Sequence, residues 1–236
     1  MTGATDTATG AERRKTTRVR WAAGAVVALA LLFAGAAAVA SAREDGAAPR
    51  TAGAPAPDSA DAGFARDMAV HHQQAVEMSF IVRDRTEDED VRRLAYDIAN
   101  TQANQRGMLL GWLDLWELPK VAPGGEPPMA WMAAGADGDA HGGHDAGGAD
   151  GGLMPGMASR PELERLGRLD GTRAEVFFLQ LMTDHHKGGV AMAEACASRC
   201  GVPAEQRLAR GMVEGQQSEL GLMRDMLADR GAKPRA

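Results

Sequence analysis

Aromatic side chains make up only 4% of the 236 residues, and there is a single Tyr. Sandwiches and barrels draw on aromatic and β-branched strands, so helices are the better expectation. Cysteine is scarcer still. Cys196 and Cys200 are the whole complement, too few for the disulfide framework of a small secreted scaffold, and burial must carry the core. Positive charge is also short, with 26 Lys+Arg against 32 Asp+Glu. Arg13, Arg14, Lys15, Arg18 and Arg20 crowd near the start, which leaves the rest of the chain distinctly acidic. Nucleic acid is gripped by clustered Lys and Arg, so an acidic body argues against it as a partner and favours cations.

What the chain does have begins with an uncharged run from Trp21 to Ala42, directly after the basic stretch. Its length just spans the hydrocarbon core of a bilayer, and the flanking bases would stay cytoplasmic. It ends Ala40-Ser41-Ala42, a small-x-small pattern that a signal peptidase could cut before Arg43. Residues 1–42 therefore read as a basic segment plus either a signal peptide or an uncleaved membrane anchor, and the remainder as extracytoplasmic. A buried soluble helix is disfavoured because the run has no polar face. Residues 43–57, rich in Pro, Gly and Ala, read as a flexible linker.

The domain proper, 58–232, carries four helical stretches in two pairs, at about 58–85, 87–118, 173–199 and 203–230. A short helix is expected at about 160–169. Three capping boxes are predicted: Thr86 with Glu89, Ser159 with Glu162 and Thr172 with Glu175. Pro119 stops the second helix, Pro203 opens the fourth and Gly231 follows its end. The pairs repeat at a constant offset of 114 residues: Phe64, Met68, His71, His72, Val76 and Met78 map onto Phe178, Met182, His185, His186, Val190 and Met192. A helical hairpin cannot bury its apolar stripe alone, so the expected fold is all-α, a four-helix bundle built from two duplicated hairpins with a shared core. Residues 119–158 form the long crossover, rich in Gly and containing His141-Gly-Gly-His144 and Met154-Pro-Gly-Met157.

All six histidines come in pairs, His71-His72, His141/His144 and His185-His186. Along the first helix Phe64, Met68, His71, Ala75, Met78 and Val82 step by seam spacing, which turns His71 inward; Phe178, Met182, His185, Gly189, Met192 and Cys196 do the same in the third. In an antiparallel hairpin His71 falls beside Gln102, and His185 beside Gln216 and within a turn of Glu219. Gln102, Gln105, Gln216 and Glu219 also fit inward stripes, and a buried polar group left unpaired costs a few kcal/mol. Something at mid-bundle should satisfy them.

Four imidazoles bracketed by the thioethers of Met68, Met78, Met182 and Met192 suit a borderline-to-soft transition metal, copper first and zinc next. A ferritin-type di-iron site needs Glu-x-x-His, which neither pair has. His141, His144, Met154 and Met157 read as a capture site or lid. The plainer readings are that the Met residues fill the core, that the inner His residues are hydrogen-bonded core groups and that the crossover is a solvated linker. Cys196 and Cys200 admit a disulfide, if Gly201-Val202-Pro203 lets the last turn unwind, or a thiolate pair for Cu(I); outside the cytoplasm the disulfide is preferred.

The pattern Met68-x-x-His71-His72-Gln73-Gln74-Ala75, then Met154-Pro-Gly-Met157, then Met182-x-x-His185-His186-x-x-Gly189-Val-x-Met192 and Gln216-x-x-Glu219-Leu220-x-x-Met223 resembles the bacterial family called domain of unknown function 305. The resemblance implies an exported, ferritin-like helical bundle, copper-binding in some members. Gln105 stands where the second copy has Glu219, so a symmetric carboxylate pair is not implied. The leading expectation is an extracytoplasmic copper-binding protein, without catalysis, for buffering, resistance or metal hand-over. The alternatives are a metal-dependent oxidoreductase of ferritin-like type and a cell-envelope interaction module that holds no metal.

Overall fold

The computed structural model describes residues 53–133 and 153–235. The expected export or anchor segment 1–42, most of the linker and the pair His141/His144 lie outside the described residues. The described part is all-helical. Its helices are α1 (Ala60–Arg83), α2 (Glu89–Leu115), α3 (Ala130–Ala133), α4 (Arg160–Arg168), α5 (Thr172–Arg199) and α6 (Pro203–Asp229). No described helix is long and apolar enough to cross a membrane.

The duplication is visible in three dimensions. α1 packs along α2 and α5 along α6, and the two hairpins meet where α1 lies against α5, with α3 on α1 and α4 in contact with both α1 and α5. One apolar cluster gathers Met78, Val82, Val91, Ile98, Phe178, Met182 and Met223; the other gathers Phe64, Met68, Leu109, Leu113, Met192 and Met212. α1 enters through the second cluster and leaves through the first, whereas α5 runs the opposite way, so the two helices cross antiparallel. Each fully buried Leu, Met or Phe contributes about 1.5–3 kcal/mol of transfer free energy. The histidine pairs fall between the clusters.

Helix ends show where local signals prevailed and where they did not. Ser59 caps α1 by accepting from the Ala62 amide, and the Ser159–Glu162 box forms as expected at α4. The other two predicted boxes do not form. Asp88 rather than Thr86 caps α2, accepting from the Val91 amide at 2.9 Å. Thr86 is buried and instead donates its hydroxyl to Glu175 Oε1 at 2.6 Å. Gly171, not Thr172, is the N-cap of α5, because the Glu175 carboxylate needed for the box is held by Thr86 and by Arg230 Nε at 2.7 Å. A buried carboxylate takes the strongest donors within reach, and here these lie on other elements.

Asp61 is the counterpart of Glu175 in the repeat. It accepts from the amides of Gly201 at 3.0 Å and Val202 at 2.7 Å. The first turn of each inner helix therefore holds the bend of the opposite hairpin. α2 ends three residues before the expected 118, and α3 is an element the sequence reading did not anticipate. Trp131 of α3 is buried and donates its indole N–H to Asp67 at 2.9 Å.

Candidate metal centre

His71, His72, His185 and His186 are all at most 1% exposed. Seam spacing turns His71 and His185 toward the α1–α5 crossing, and their rings stack with centroids 3.7 Å apart, tilted by 33°. His186 lies 6.4 Å from His185, centroid to centroid. The outer pair makes matched bonds to the neighbouring helix of its own hairpin, His72 Nε2 to Gln105 Oε1 at 2.9 Å and His186 Nε2 to Glu219 Oε2 at 2.7 Å. The inner pair bonds to backbone: His71 Nε2 to the Pro155 carbonyl at 3.2 Å, His185 Nε2 to the His71 carbonyl at 3.0 Å.

Every one of these partners is an oxygen that accepts. Each Nε2 must therefore carry the hydrogen, which leaves Nδ1 of a neutral ring as a bare lone pair. Nδ1 of His71, His72 and His186 has no partner although it is buried. His71, His72 and His185 stay neutral because burial opposes charge and because a proton on one ring repels a proton on the next. Burial lowers His71 to about 4, helped by His186, and lowers His72 to about 3, helped by His71 and His186. His185 is driven well below its ordinary value by burial and by His71, His186 and His72 in turn. The four imidazoles thus share one electrostatic neighbourhood.

Orphaned buried nitrogens are the sign of a missing partner. Neutral imidazole Nδ1, its Nε2–H fixed by a carbonyl or carboxylate, is how histidine presents itself to a borderline transition metal. The donor set fits such an ion. The nitrogens are not already gathered round one point, since among the described residues no three of these histidines bring ligand atoms within 4.8 Å of one another. Both amide atoms of Gln102 and Oε1 of Gln216 are also buried without partners. Met68 and Met192 lie in the cluster on one side of the histidines and Met78 and Met182 in the cluster on the other, all fully buried.

The crossover closes the site. Met154-Pro-Gly-Met157 lies on α5 so tightly that a Cβ on Gly188 would run into the Pro155 carbonyl, and one on Gly156, whose φ is +77°, into the backbone of Asp184. Met154 is buried and Met157 partly so, both in the cluster that contains Met68 and Met192. Gln74 anchors the same strand of chain, donating to the Ala158 carbonyl at 2.8 Å and accepting from its amide at 2.7 Å. Arg235, from the C-terminal tail, bridges Glu162 and Asp184 beside it.

Glu219, which the hairpin register set within a turn of His185, bonds to His186 instead. Gln102 and Gln216 reach the histidine level but bond to no imidazole. Gln105, which does bond, was expected on an inward stripe but not as the partner of a histidine. Its signal was the repeat itself, since 114 residues separate it from Glu219. The Pro155 carbonyl had no signal in the sequence.

The family model described as domain of unknown function (DUF305) matches residues 61–227. The chain belongs to the DUF305 family. A candidate secreted DUF305 protein from Streptomyces coelicolor is 63% identical, with a TM-score of 0.67 over 77% of this chain and 99% of that one. A DUF305 fragment from Deinococcus radiodurans is 30% identical, with a TM-score of 0.56 over 72% and 96%. CopM in its Cu(I)-bound form shares the fold at 19% identity, with a TM-score of 0.53 over 72% and 96%. Among curated proteins, none matches the sequence.

Proposed function

We propose that this DUF305 protein is an extracytoplasmic binder of a transition-metal ion, copper before zinc, that buffers the ion or hands it on. The observation that carries the reading is the set of buried Nδ1 atoms of His71, His72 and His186 that no hydrogen bond satisfies. His71, His72, His185 and His186 would hold the ion, with Met68, Met78, Met182 and Met192 supplying soft donors from either side. Glu219 and Gln105 fix the outer rings, and Gln102 and Gln216 offer polar support. Because no three histidine donors are gathered in advance, uptake re-orients rings instead of filling a finished cage.

The loop residues Met154 and Met157, with His141 and His144, would act as capture site or lid, since the Pro155 carbonyl sits on His71. Two likenesses support the reading. CopM, of the same fold, exists in Cu(I)-bound and Cu(II)-bound forms, and the Streptomyces relative is described as a candidate secreted protein. With residues 1–42 as export signal or anchor, the domain would work outside the cytoplasm.

Anaerobic titration of the full chain with Cu(I) against a chromophoric chelator tests this. The wild type should bind at a fixed stoichiometry. A His71→Ala/His185→Ala variant should lose high-affinity binding while its far-ultraviolet dichroism keeps the helical signal. An unchanged titration would refute the reading.

A further inference from the structure

A second group of donors sits at the other end of α5. Cys196, in its last turn, and Cys200, its C-cap, are joined as a disulfide and are 0% and 2% exposed. Glu205, in the first turn of α6, is 0% exposed, and its carboxyl group finds no donor, only the neighbouring Asp61 carboxylate to share a proton with. One of those oxygens and the two sulfurs lie within 4.8 Å of one another, the one such three-donor group among the described residues. Asp61, beside Glu205, already accepts from the Gly201 and Val202 amides and pins the bend that brings Glu205 over the sulfurs. Burial, reinforced by Asp61, pushes Glu205 up to about 9, so it is a neutral acid while the disulfide is intact.

The duplication supplies an internal reference for this corner. At the offset of 114, Cys196, Cys200 and Glu205 correspond to Val82, Thr86 and Val91. Val82 and Val91 are fully buried in the same apolar cluster. The first hairpin thus closes the equivalent bend with hydrocarbon at the Cys196 and Glu205 positions. The fold itself needs neither sulfur nor a carboxyl there, and burying an acid against the carboxylate of Asp61 is costly. Their presence in one copy alone is a matter of chemistry.

We propose that Cys196, Cys200 and Glu205 form a second metal site, separate from the histidines, which is off as the disulfide and on when reduced, and which takes zinc. A dithiol reductant supplies two electrons and two protons to the S–S bond and is itself oxidised to a disulfide. When Zn²⁺ binds, the two thiols and the Glu205 carboxyl release three protons, leaving two thiolates and one carboxylate on the ion and a fourth position for water. Two thiolates alone would satisfy Cu(I); the added oxygen donor favours a borderline divalent ion.

The test compares the full chain oxidised with the full chain reduced by dithiothreitol and freed of it anaerobically. Each is titrated with zinc against a chromophoric chelator, and with cobalt(II) to read thiolate-to-metal charge transfer. Because the histidines are present in both states, the difference belongs to the cysteines. The reduced chain should bind one more equivalent of zinc and show the charge-transfer band. Glu205→Gln should keep the band and lose at least about tenfold in zinc affinity. Equal stoichiometry in the two states overturns the proposal, as does unchanged affinity in Glu205→Gln. So does a reduced chain that loses its helical signal and does not regain it with zinc. None of these outcomes depends on whether the histidines bind copper.

Discussion

The imidazoles of His71 and His185, 114 residues apart in the chain, lie with centroids 3.7 Å apart and are at most 1% exposed. Two charged rings at about 4 Å would repel by about 4 kcal/mol at an effective dielectric constant of 20. The pair can exist only if at least one ring is neutral, and burial keeps both so.

That neutrality has a pH signature. His71 and His72 titrate near 4 and 3 in the folded chain, below the ordinary 6.5 of an unfolded histidine. A depressed folded value means the unfolded state takes up protons first, so their contribution is fully present above pH 6.5 and is lost as pH falls toward 3–4. The metal-free chain should show a melting midpoint that falls steadily across this window. Substituting His71 and His72 by Gln should flatten the fall.

Glu219 should matter more than Gln105. Both hold Nε2–H of an outer histidine, but only the carboxylate raises the basicity of the ring it holds. Glu219→Ala should weaken copper binding by about 10–100-fold in a chelator competition. Gln105→Ala should weaken it less, and Gln105→Glu should strengthen it.

Gly188 is where backbone meets backbone. A methyl group there collides with the Pro155 carbonyl, which the helix cannot yield to. Gly188→Ala should destabilise the chain by about 1–3 kcal/mol in urea unfolding and make the 153–158 segment sensitive to protease. Gly211, exposed in α6 with nothing near it, is the control. Gly211→Ala should stabilise by up to about 1 kcal/mol through helix propensity alone.

Glu205 gives a pH signature of opposite sign. Its folded value, about 9, lies above the ordinary 4.5 of an unfolded glutamate. Its contribution is fully present below pH 4.5 and is lost as pH rises toward 9. In the disulfide-intact chain Glu205→Gln should remove that decline and raise stability at pH 7.5 by at least about 1 kcal/mol, measured by urea unfolding.

The sequence by itself determined the four long helices, the duplication and the inward face of His71 and His185. These rest on spacing along one helix, as with Met68, His71 and Met78, and on a repeat that needs no gap. A helix is a local structure, so its periodicity is legible in the residues that form it. Only the tertiary structure decided which histidine nitrogen is left free and which caps form. It also decided that a proline carbonyl 84 residues from His71 closes the site. Thr86 gave up its predicted cap because Glu175, 89 residues away, came within hydrogen-bonding distance. Such partners are settled by which groups packing strands together out of water, where an unpaired donor or acceptor costs most, and no spacing along the chain records that.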